Sequence, residues 1–390
     1  MPAADASHRR SFLKHTLACT ATTLLVRPRQ ARAAPQLEVL DRRVISQLPQ
    51  HYHGWPTLAR RASGQLVLAV SGGRESHVCP FGRVELLRSD DEGKSWSWPQ
   101  VIMDTPIDDR DAGILETARG TLLATTFTSL AYEPILARAL ADPSSWDADR
   151  LARWQAAHRQ LSEKQRTATL GTWMVRSTDN GITWSQPYDC LVNSPHGPVR
   201  LADGQLLYAG KELWRENPRI GVARSEDDGV SWTWLAEIKP REGDLEGKYH
   251  ELHAVEAANG RLVAQIRNHN PKDAGETLQS ESTDGGETWT PPHSIGVWGL
   301  PSHLLRLSDD RLLMSYGYRR KPYGNQVRIS EDHGDSWSAP LTLSADGAGH
   351  DLGYPSTVEL ADGSFLSAWY ERLTGSSHAV LRQAHWTLQD

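Results

Sequence analysis

One eight-residue pattern, Ser-x-Asp-x-Gly-x-Ser/Thr-Trp, occurs five times in this 390-residue chain and limits what it can fold into. The copies are Ser89–Trp96 (SDDEGKSW), Ser177–Trp184 (STDNGITW), Ser225–Trp232 (SEDDGVSW), Ser282–Trp289 (STDGGETW) and Ser330–Trp337 (SEDHGDSW). Successive serines lie 88, 48, 57 and 48 residues apart. A period near 50 residues is that of a four-stranded propeller blade and not of a helical solenoid. In such a turn the Asp accepts hydrogen bonds from the backbone ahead of it, and the Gly supplies a positive φ. The Trp then folds back as an apolar plug between sheets, which accounts for five of the 15 tryptophans in a chain with only 4 phenylalanines. A calcium-loop reading of these turns fails, because no liganding Glu follows at the required offset.

A second repeat counts the blades. Residues 57–70, 113–126, 198–210, 254–266, 304–316 and 357–369 each read as alternating strand, short polar turn and alternating strand. All but the last lead into one of the five Asp boxes. The last ends in Ala379–Leu388, and Leu37–Ile45 is left over at the N-terminal side to complete its sheet, closing the ring and hiding its edge. The 88-residue gap holds Ser144–Gln165, whose spacing reads as a helix. The expected fold class is therefore all-β: a six-bladed β-propeller with Asp-box repeats and a short helical insertion in blade 2.

Residues 1–33 stand apart from the fold. Arg9-Arg10, a weakly apolar run from Thr16 to Val26 and Ala31-Arg32-Ala33 read as a twin-arginine export signal with a small-residue cleavage site. The run is too short to span a bilayer. The expected domains are thus a signal peptide, 1–33, and a propeller, 34–390, with a periplasmic or secreted location. The 42 Lys+Arg against 48 Asp+Glu give a net charge of −6, which argues against nucleic acid or anionic lipid as a partner. Cys79 and Cys190, the two cysteines beyond the signal, read as inert thiols, with a bridge in an exported protein the alternative that spacing does not decide, and no zinc-type Cys/His spacing occurs.

Propeller geometry then selects candidate site residues. The first strand of each blade starts at the axial funnel and the second returns to it. The six starts contain His53-Gly54-Trp55-Pro56, Asp108-Asp109-Arg110-Asp111, Ser194-Pro195-His196-Gly197, Tyr249 to His253, Leu300 to His303 and Leu352-Gly353-Tyr354-Pro355. The returns include Arg74 to His77, Arg267-Asn268-His269, Tyr318-Arg319-Arg320 and Tyr370-Glu371-Arg372. The hairpins repeat while these ends differ, so this rim is where a site would be grafted. A cationic, aromatic rim suits a sugar acid, because Arg grips a carboxylate in two-pronged fashion and Trp or Tyr stacks on a sugar face. The candidate substrate-binding set is Arg74, Arg110, His53, Trp55, His253, Arg267, His303, Arg319 and Glu371. No cofactor and no metal is called for.

Six blades with five Asp boxes resemble the sialidase (neuraminidase) superfamily of glycoside hydrolases. That resemblance implies a Tyr nucleophile with a Glu as its base, an Asp as acid/base, and three arginines on the substrate carboxylate. Gly353-Tyr354-Pro355-Ser356, with Trp369-Tyr370-Glu371, is similar to the nucleophile segment, which implies Tyr354 as nucleophile and Glu371 as a carboxylate that steadies an arginine. Glu251 and Arg267, sixteen residues apart around one hairpin, are similar to the catalytic Glu and the second arginine, and Arg319 or Arg320 to the third. Two departures stand out. Gly54-Trp55-Pro56 replaces Arg-Ile/Val-Pro, and the acid/base loop reads Arg74-Glu75-Ser76-His77 with no Asp. Arg74 is the candidate for the lost cation, and Glu75, His77 or Asp109 for the acid. The expected activity is an exo-acting glycosidase releasing a terminal sialic acid or related acidic sugar. The alternatives are a lyase on a uronate, drawing on His53, His77, His253 and His303, and a non-catalytic glycan-binding propeller. The expected partner is a glycan or oligosaccharide, without nucleic acid or membrane anchor, for a chain acting as a monomer.

Overall fold

The computed structural model describes residues 35–389, and the expected signal peptide lies outside the described residues. Within the compact unit Ala34–Asp390, the described residues form six four-stranded sheets, each wholly antiparallel. These are the six blades. The first hairpin strands of all six, Tyr52–Arg60, Asp108–Glu116, Val199–Arg200, Tyr249–Glu256, Ser302–Arg306 and Leu352–Glu359, line a single axial cavity of about 570 Å³. Strand Gln36–Val44 pairs antiparallel with Ala379–Gln389, from Gln36 opposite Gln389 to Val44 opposite Arg382, and so supplies the outer strand of the last blade as expected. Closure by strand pairing leaves chain start and chain end sharing one sheet, with no unpaired edge between them.

All five Asp boxes share one bonding scheme. In the first, Asp91 accepts from the Ser95 N–H at 2.8 Å and its hydroxyl at 2.6 Å, while the Ser89 hydroxyl accepts from the Gly93 N–H at 2.8 Å. Residues four and five, such as Glu92 and Gly93, both have positive φ in every copy. The boxes also stitch the blades together. A third-strand side chain of one blade reaches the box of the next: Arg88 to the Gly181 carbonyl at 2.6 Å, Arg176 to Asp228 at 2.9 Å, Arg224 to Gly285 at 2.5 Å, Gln279 to Gly334 at 2.8 Å and Gln383 to Gly93 at 2.9 Å. Gln279 and Gln383 additionally accept from the box indoles Trp337 and Trp96, at 2.9 and 2.8 Å. The box is thus an inter-blade rivet, and its Trp fills the seam.

The insertion in blade 2 is larger than the sequence reading. Between strands Leu122–Ser129 and Thr172–Ser177 lie three helices, α1 (Glu133–Ala141), α2 (Ala148–Arg159) and α3 (Glu163–Ala168). The first begins ahead of Ser144, with Pro134 in its opening turn, where the missing N–H costs nothing. Its apolar side packs with Trp154 against the loop after the first hairpin, in one cluster with Cys79 and Phe81. Trp154 and Arg153 also donate to Glu75, at 3.0 and 2.8 Å. Cys79 and Cys190 are buried free thiols in different clusters, as read from the sequence. Among the described residues no helix is long and apolar enough to cross a membrane.

Two predictions follow from the boxes. A Cβ at Gly93 would sit 2.6 Å from Leu366 of the neighbouring blade at φ +83°, whereas one at Gly204, at φ +87°, meets nothing within 4 Å. Gly93→Ala should therefore cost about 1–3 kcal/mol more than Gly204→Ala, an overpacking term on top of similar backbone strain, measured by urea unfolding. Hydrogen bonds from the hydroxyl and backbone N–H four residues on hold Asp91, Asp179 and Asp284 down to about 2, from an ordinary 3.8. Depressed carboxylates stabilise above their unfolded value and stop doing so as pH falls through the folded one. The part of the stability that these aspartates supply should be level above pH 4 and decline between about pH 4 and 2, a decline that shrinks when they are replaced by Asn.

Candidate active site

A regular inner strand alternates its side chains between the two neighbouring blades and points none of them up the funnel. Four blades break that rule at one position. Trp55, Asp111, Glu251 and Tyr354 have φ of 53°, 51°, 33° and 54°, and each lies nine residues before the positive-φ glycine of its own hairpin (Gly64, Gly120, Gly260, Gly363). Strand register slips at each of them. These are β-bulges, which re-aim a side chain. Left-handed backbone at bulky residues costs about 1–3 kcal/mol each and is tolerated where the surroundings hold it.

Tyr354, Glu251 and Arg267 meet at the funnel floor. The Tyr354 hydroxyl donates to Glu251 Oε1 at 2.6 Å. Arg267 donates to Glu251 Oε2 at 2.6 Å and to the Tyr354 oxygen at 3.1 Å. Burial and the Glu251 charge push the phenol well above its ordinary 10. Burial works to raise Glu251 too, but Arg267 and the Tyr354 hydrogen bond outweigh it, and the carboxyl lies below its ordinary value. Asp111, also buried, feels the opposite balance. Burial and repulsion from Glu251 lift it to about 7. The two carboxyls of this pair are thus shifted in opposite directions, Glu251 toward its ionised form and Asp111 toward its protonated one. Arg319 lies with its guanidinium carbon 5.8 Å from the Tyr354 ring centre and donates to the Leu352 carbonyl at 3.1 Å.

Trp55 is buried beside this group, its ring centre 6.3 Å from that of Tyr354. Arg110 and Arg74 stand 4.4 and 4.9 Å from the indole centre. Their situations differ. Arg74 is fully buried and clasped by both oxygens of Asp108, at 2.7 and 3.0 Å, so its charge is neutralised inside the protein. Arg110 keeps part of its surface and reaches Asp108 at only 3.4 Å. His77 lies edge-on to Trp55 at 5.0 Å, half exposed. Its Nδ1 meets Asp351 at 3.0 Å and the Tyr52 hydroxyl at 2.8 Å, and burial lowers its pKa below the ordinary 6.5. His77, Asp351, Arg319, Tyr370 and Arg372 line a cavity of about 520 Å³.

The remaining sequence candidates lie elsewhere. Asp109 is buried and accepts from the Thr105 N–H and hydroxyl at 2.7 and 3.0 Å, tying down the loop before its strand. Glu75 is held by the helical insertion. His53 is buried against the His51 carbonyl. His253 and His303 stack in the axial cavity with centres 4.7 Å apart, and the Nδ1 of His253 accepts from the Leu304 N–H at 2.9 Å. Glu371 is buried between the Trp369 N–H and Arg382, an arginine of its own sheet and not of the funnel. Asp111 and Asp351 were not singled out from the sequence. Asp111 was findable, because counting nine residues back from Gly120 lands on it just as the same count lands on Glu251 and Tyr354. Asp351 has no such signal.

Residues 154–366 match the family model described as a BNR repeat-like domain. Two curated relatives bear the name sialidase. The one from Bacteroides fragilis is 25% identical over 242 residues, 56% of this chain and 42% of its own length; the one from Micromonospora viridifaciens is 26% identical over 204 residues, 44% and 31%. The aligned chain thus spans less than half of either relative. Among solved structures, a protein of unknown function from Dyadobacter fermentans superposes with a TM-score of 0.73 at 24% identity, covering 90% of this chain and 99% of that one. The intramolecular trans-sialidase from Ruminococcus gnavus gives 0.61 at 14% identity, covering 88% and 96%. These superpositions concern the fold. Since the matched model takes in more than half of its length, the chain belongs to the BNR repeat-like family.

Proposed function

We propose that this protein is a retaining exo-glycosidase that releases a terminal acidic sugar, sialic acid or a close relative, with Tyr354 as nucleophile and Glu251 as its base. The observation that carries this reading is the 2.6 Å hydrogen bond between those two side chains, with one arginine bonded to both. A free phenol is a poor nucleophile near neutrality. Burial makes the proton harder to lose in advance, so it must leave as the new bond forms, and Glu251 accepts it. The Tyr354 oxygen then bonds to the anomeric carbon while the bond to the leaving oxygen breaks. A neutral attacking oxygen also avoids driving a carboxylate against an anionic sugar. Arg267 and Arg319, both beside Tyr354, supply cations for the substrate carboxylate. His77, oriented through Nδ1 by Asp351, delivers the proton to the leaving oxygen through Nε2 and later takes one from water. Asp111, raised to about 7, keeps its proton below neutrality and there offers a hydrogen-bond donor at the floor without adding a second negative charge beside Glu251.

The curated relatives named sialidase support a hydrolase of this class. Of the four histidines a lyase would draw on, His53, His253 and His303 are buried away from the mouth, and His77 alone faces it. The export expected from the first 33 residues fits an enzyme acting on glycans outside the cytoplasmic membrane.

Tyr354→Phe and Glu251→Gln should each lower kcat by roughly 10²–10⁴-fold on an aryl glycoside of the substrate sugar, read by phenol release. Wild-type turnover in Tyr354→Phe would end the proposal. His77→Gln should impair natural glycans more than aryl glycosides, whose leaving groups need no proton. The pH dependence has a worked sign. His77 must be protonated and its pKa lies below 6.5, so kcat/KM should fall as pH rises through a value under 6.5. Glu251 must be ionised and is depressed, so the acid limb should lie below about 4.5. Above about pH 7 Asp111 ionises, and KM for an acidic sugar should rise. Asp111→Asn should abolish that rise and leave the His77 limb in place.

A further inference from the structure

A second cleft, of about 250 Å³, opens on the same face of the ring between blades 2 and 3. Its walls come from the segments that begin or end strands at the funnel side: Leu170 to Trp173, Asp189, Leu191 and Glu212 to Arg215. The proposed reaction uses none of them. Trp214 lines it with 46% of its surface exposed, unusual for so large an apolar side chain. The indole is fixed in orientation. Its Nε1–H donates to the Gly171 carbonyl at 3.3 Å, and the Phe127 ring lies 6.4 Å away, tilted by 48°. Exposed Trp98, at 69%, does not line this cleft and serves as the comparison. Leu191, on the opposite wall, is held at φ +69°, a conformation that a Leu adopts only under constraint.

Around this flat apolar surface stand polar groups of both kinds. The Asp189 carboxylate is exposed while it accepts from the Thr172 hydroxyl at 3.0 Å and the Leu191 N–H at 2.8 Å. Arg215 is 63% exposed and only loosely paired with Glu212, at 3.7 Å. A rigid aromatic face, an acceptor and a donor around a cavity the size of one sugar ring are the parts that recognise a pyranose: its C–H face lies on the indole and its hydroxyls bond at the rim. A strongly charged ligand is disfavoured, since Glu212 and Asp189 stand beside Arg215. We infer that this cleft is a second carbohydrate site, taking a neutral pyranose. Because it opens on the funnel's own face, a branched glycan can hold one arm here while another enters the funnel.

The inference stands on different residues from the proposed reaction and is tested without turnover. Wild-type protein is titrated with lactose, N-acetyllactosamine and methyl mannoside, following tryptophan fluorescence and heat. Saturable millimolar binding of at least one is expected. Trp214→Ala should weaken it about tenfold or more, Trp214→Phe, which keeps a flat face, should restore most of it, and Trp98→Ala should leave it unchanged. No saturable binding to the wild type, or equal affinity in Trp214→Ala, would overturn the inference whatever the enzyme hydrolyses. Loss in Trp98→Ala as large as in Trp214→Ala would overturn it too, as the site would then be elsewhere.

Discussion

The funnel depends on a backbone constraint repeated around the ring. An inner strand packed on both sides has nowhere to aim a functional side chain except along the axis, and a pleated backbone does not aim there. The bulge nine residues before the hairpin turn solves this at a local cost in backbone strain. It recurs with Trp55, Asp111, Glu251 and Tyr354. In blades 3 and 5 the same count reaches Pro195 and Pro301, whose rings forbid a positive φ. Those two blades send no side chain upward from this position. The four residues that converge are the four whose blades permit the bulge, and the inter-blade rivets of the Asp boxes hold the strands rigidly enough to keep the strained backbone in place.

Charge then divides the floor into unlike halves. Glu251 and Asp111 are both buried carboxyls, and at close quarters two such groups resist ionising together. Arg267 breaks the tie by bonding directly to Glu251, so the charge favours Glu251 and the Asp111 carboxyl is lifted to about 7. One arginine thereby sets the state of three groups, since it also touches the phenol oxygen. The arrangement is asymmetric by contact rather than by residue type: an Asp and a Glu at similar depth are shifted in opposite directions because Arg267 bonds directly to Glu251, whereas burial and the Glu251 charge outweigh the arginines near Asp111.

Most of the architecture was legible because repeats report backbone physics. Ser, Asp, Gly and Trp at fixed offsets encode a turn that cannot be made otherwise, and five copies set the blade length. The N-terminal closing strand followed from counting strands. The insertion was under-read, because α1 contains Pro134 and its apolar face packs on a loop in another blade rather than on a neighbouring helix. The site was partly legible. Tyr354, Glu251, Arg267, Arg319, Trp55, Arg110 and His77 do gather at the funnel, but Asp109 turns back to Thr105 in the loop before its strand, and Arg74 and Glu371 each face a partner on another strand. Composition marks which loop ends are polar. It does not say which polar group turns outward, and that depends on partners such as Thr105, Asp108 and Arg382.

The cation balance of the funnel bears on which acidic sugar fits. Gly54 stands where the resemblance would place an arginine, and a Cβ there would meet only Tyr52, at 3.5 Å. Steric crowding at the backbone is therefore not the reason an arginine is missing. Arg74 does not replace it, since Asp108 takes up its charge with two short contacts. What borders the empty position is aromatic and mildly polar: Tyr52, Tyr370 and Trp55 close together, with Asp351 accepting from both tyrosine hydroxyls. An anionic wall on that side opposes a carboxylate placed there and favours a hydroxyl or ammonium donor. The two unreplaced cations, Arg267 and Arg319, lie on the far side of Tyr354's ring system, toward blades 4 and 5. On the proposed reading, a sugar acid seated here would present its carboxylate to those two and a hydrogen-bond donor to Asp351, which is a narrower demand than negative charge alone.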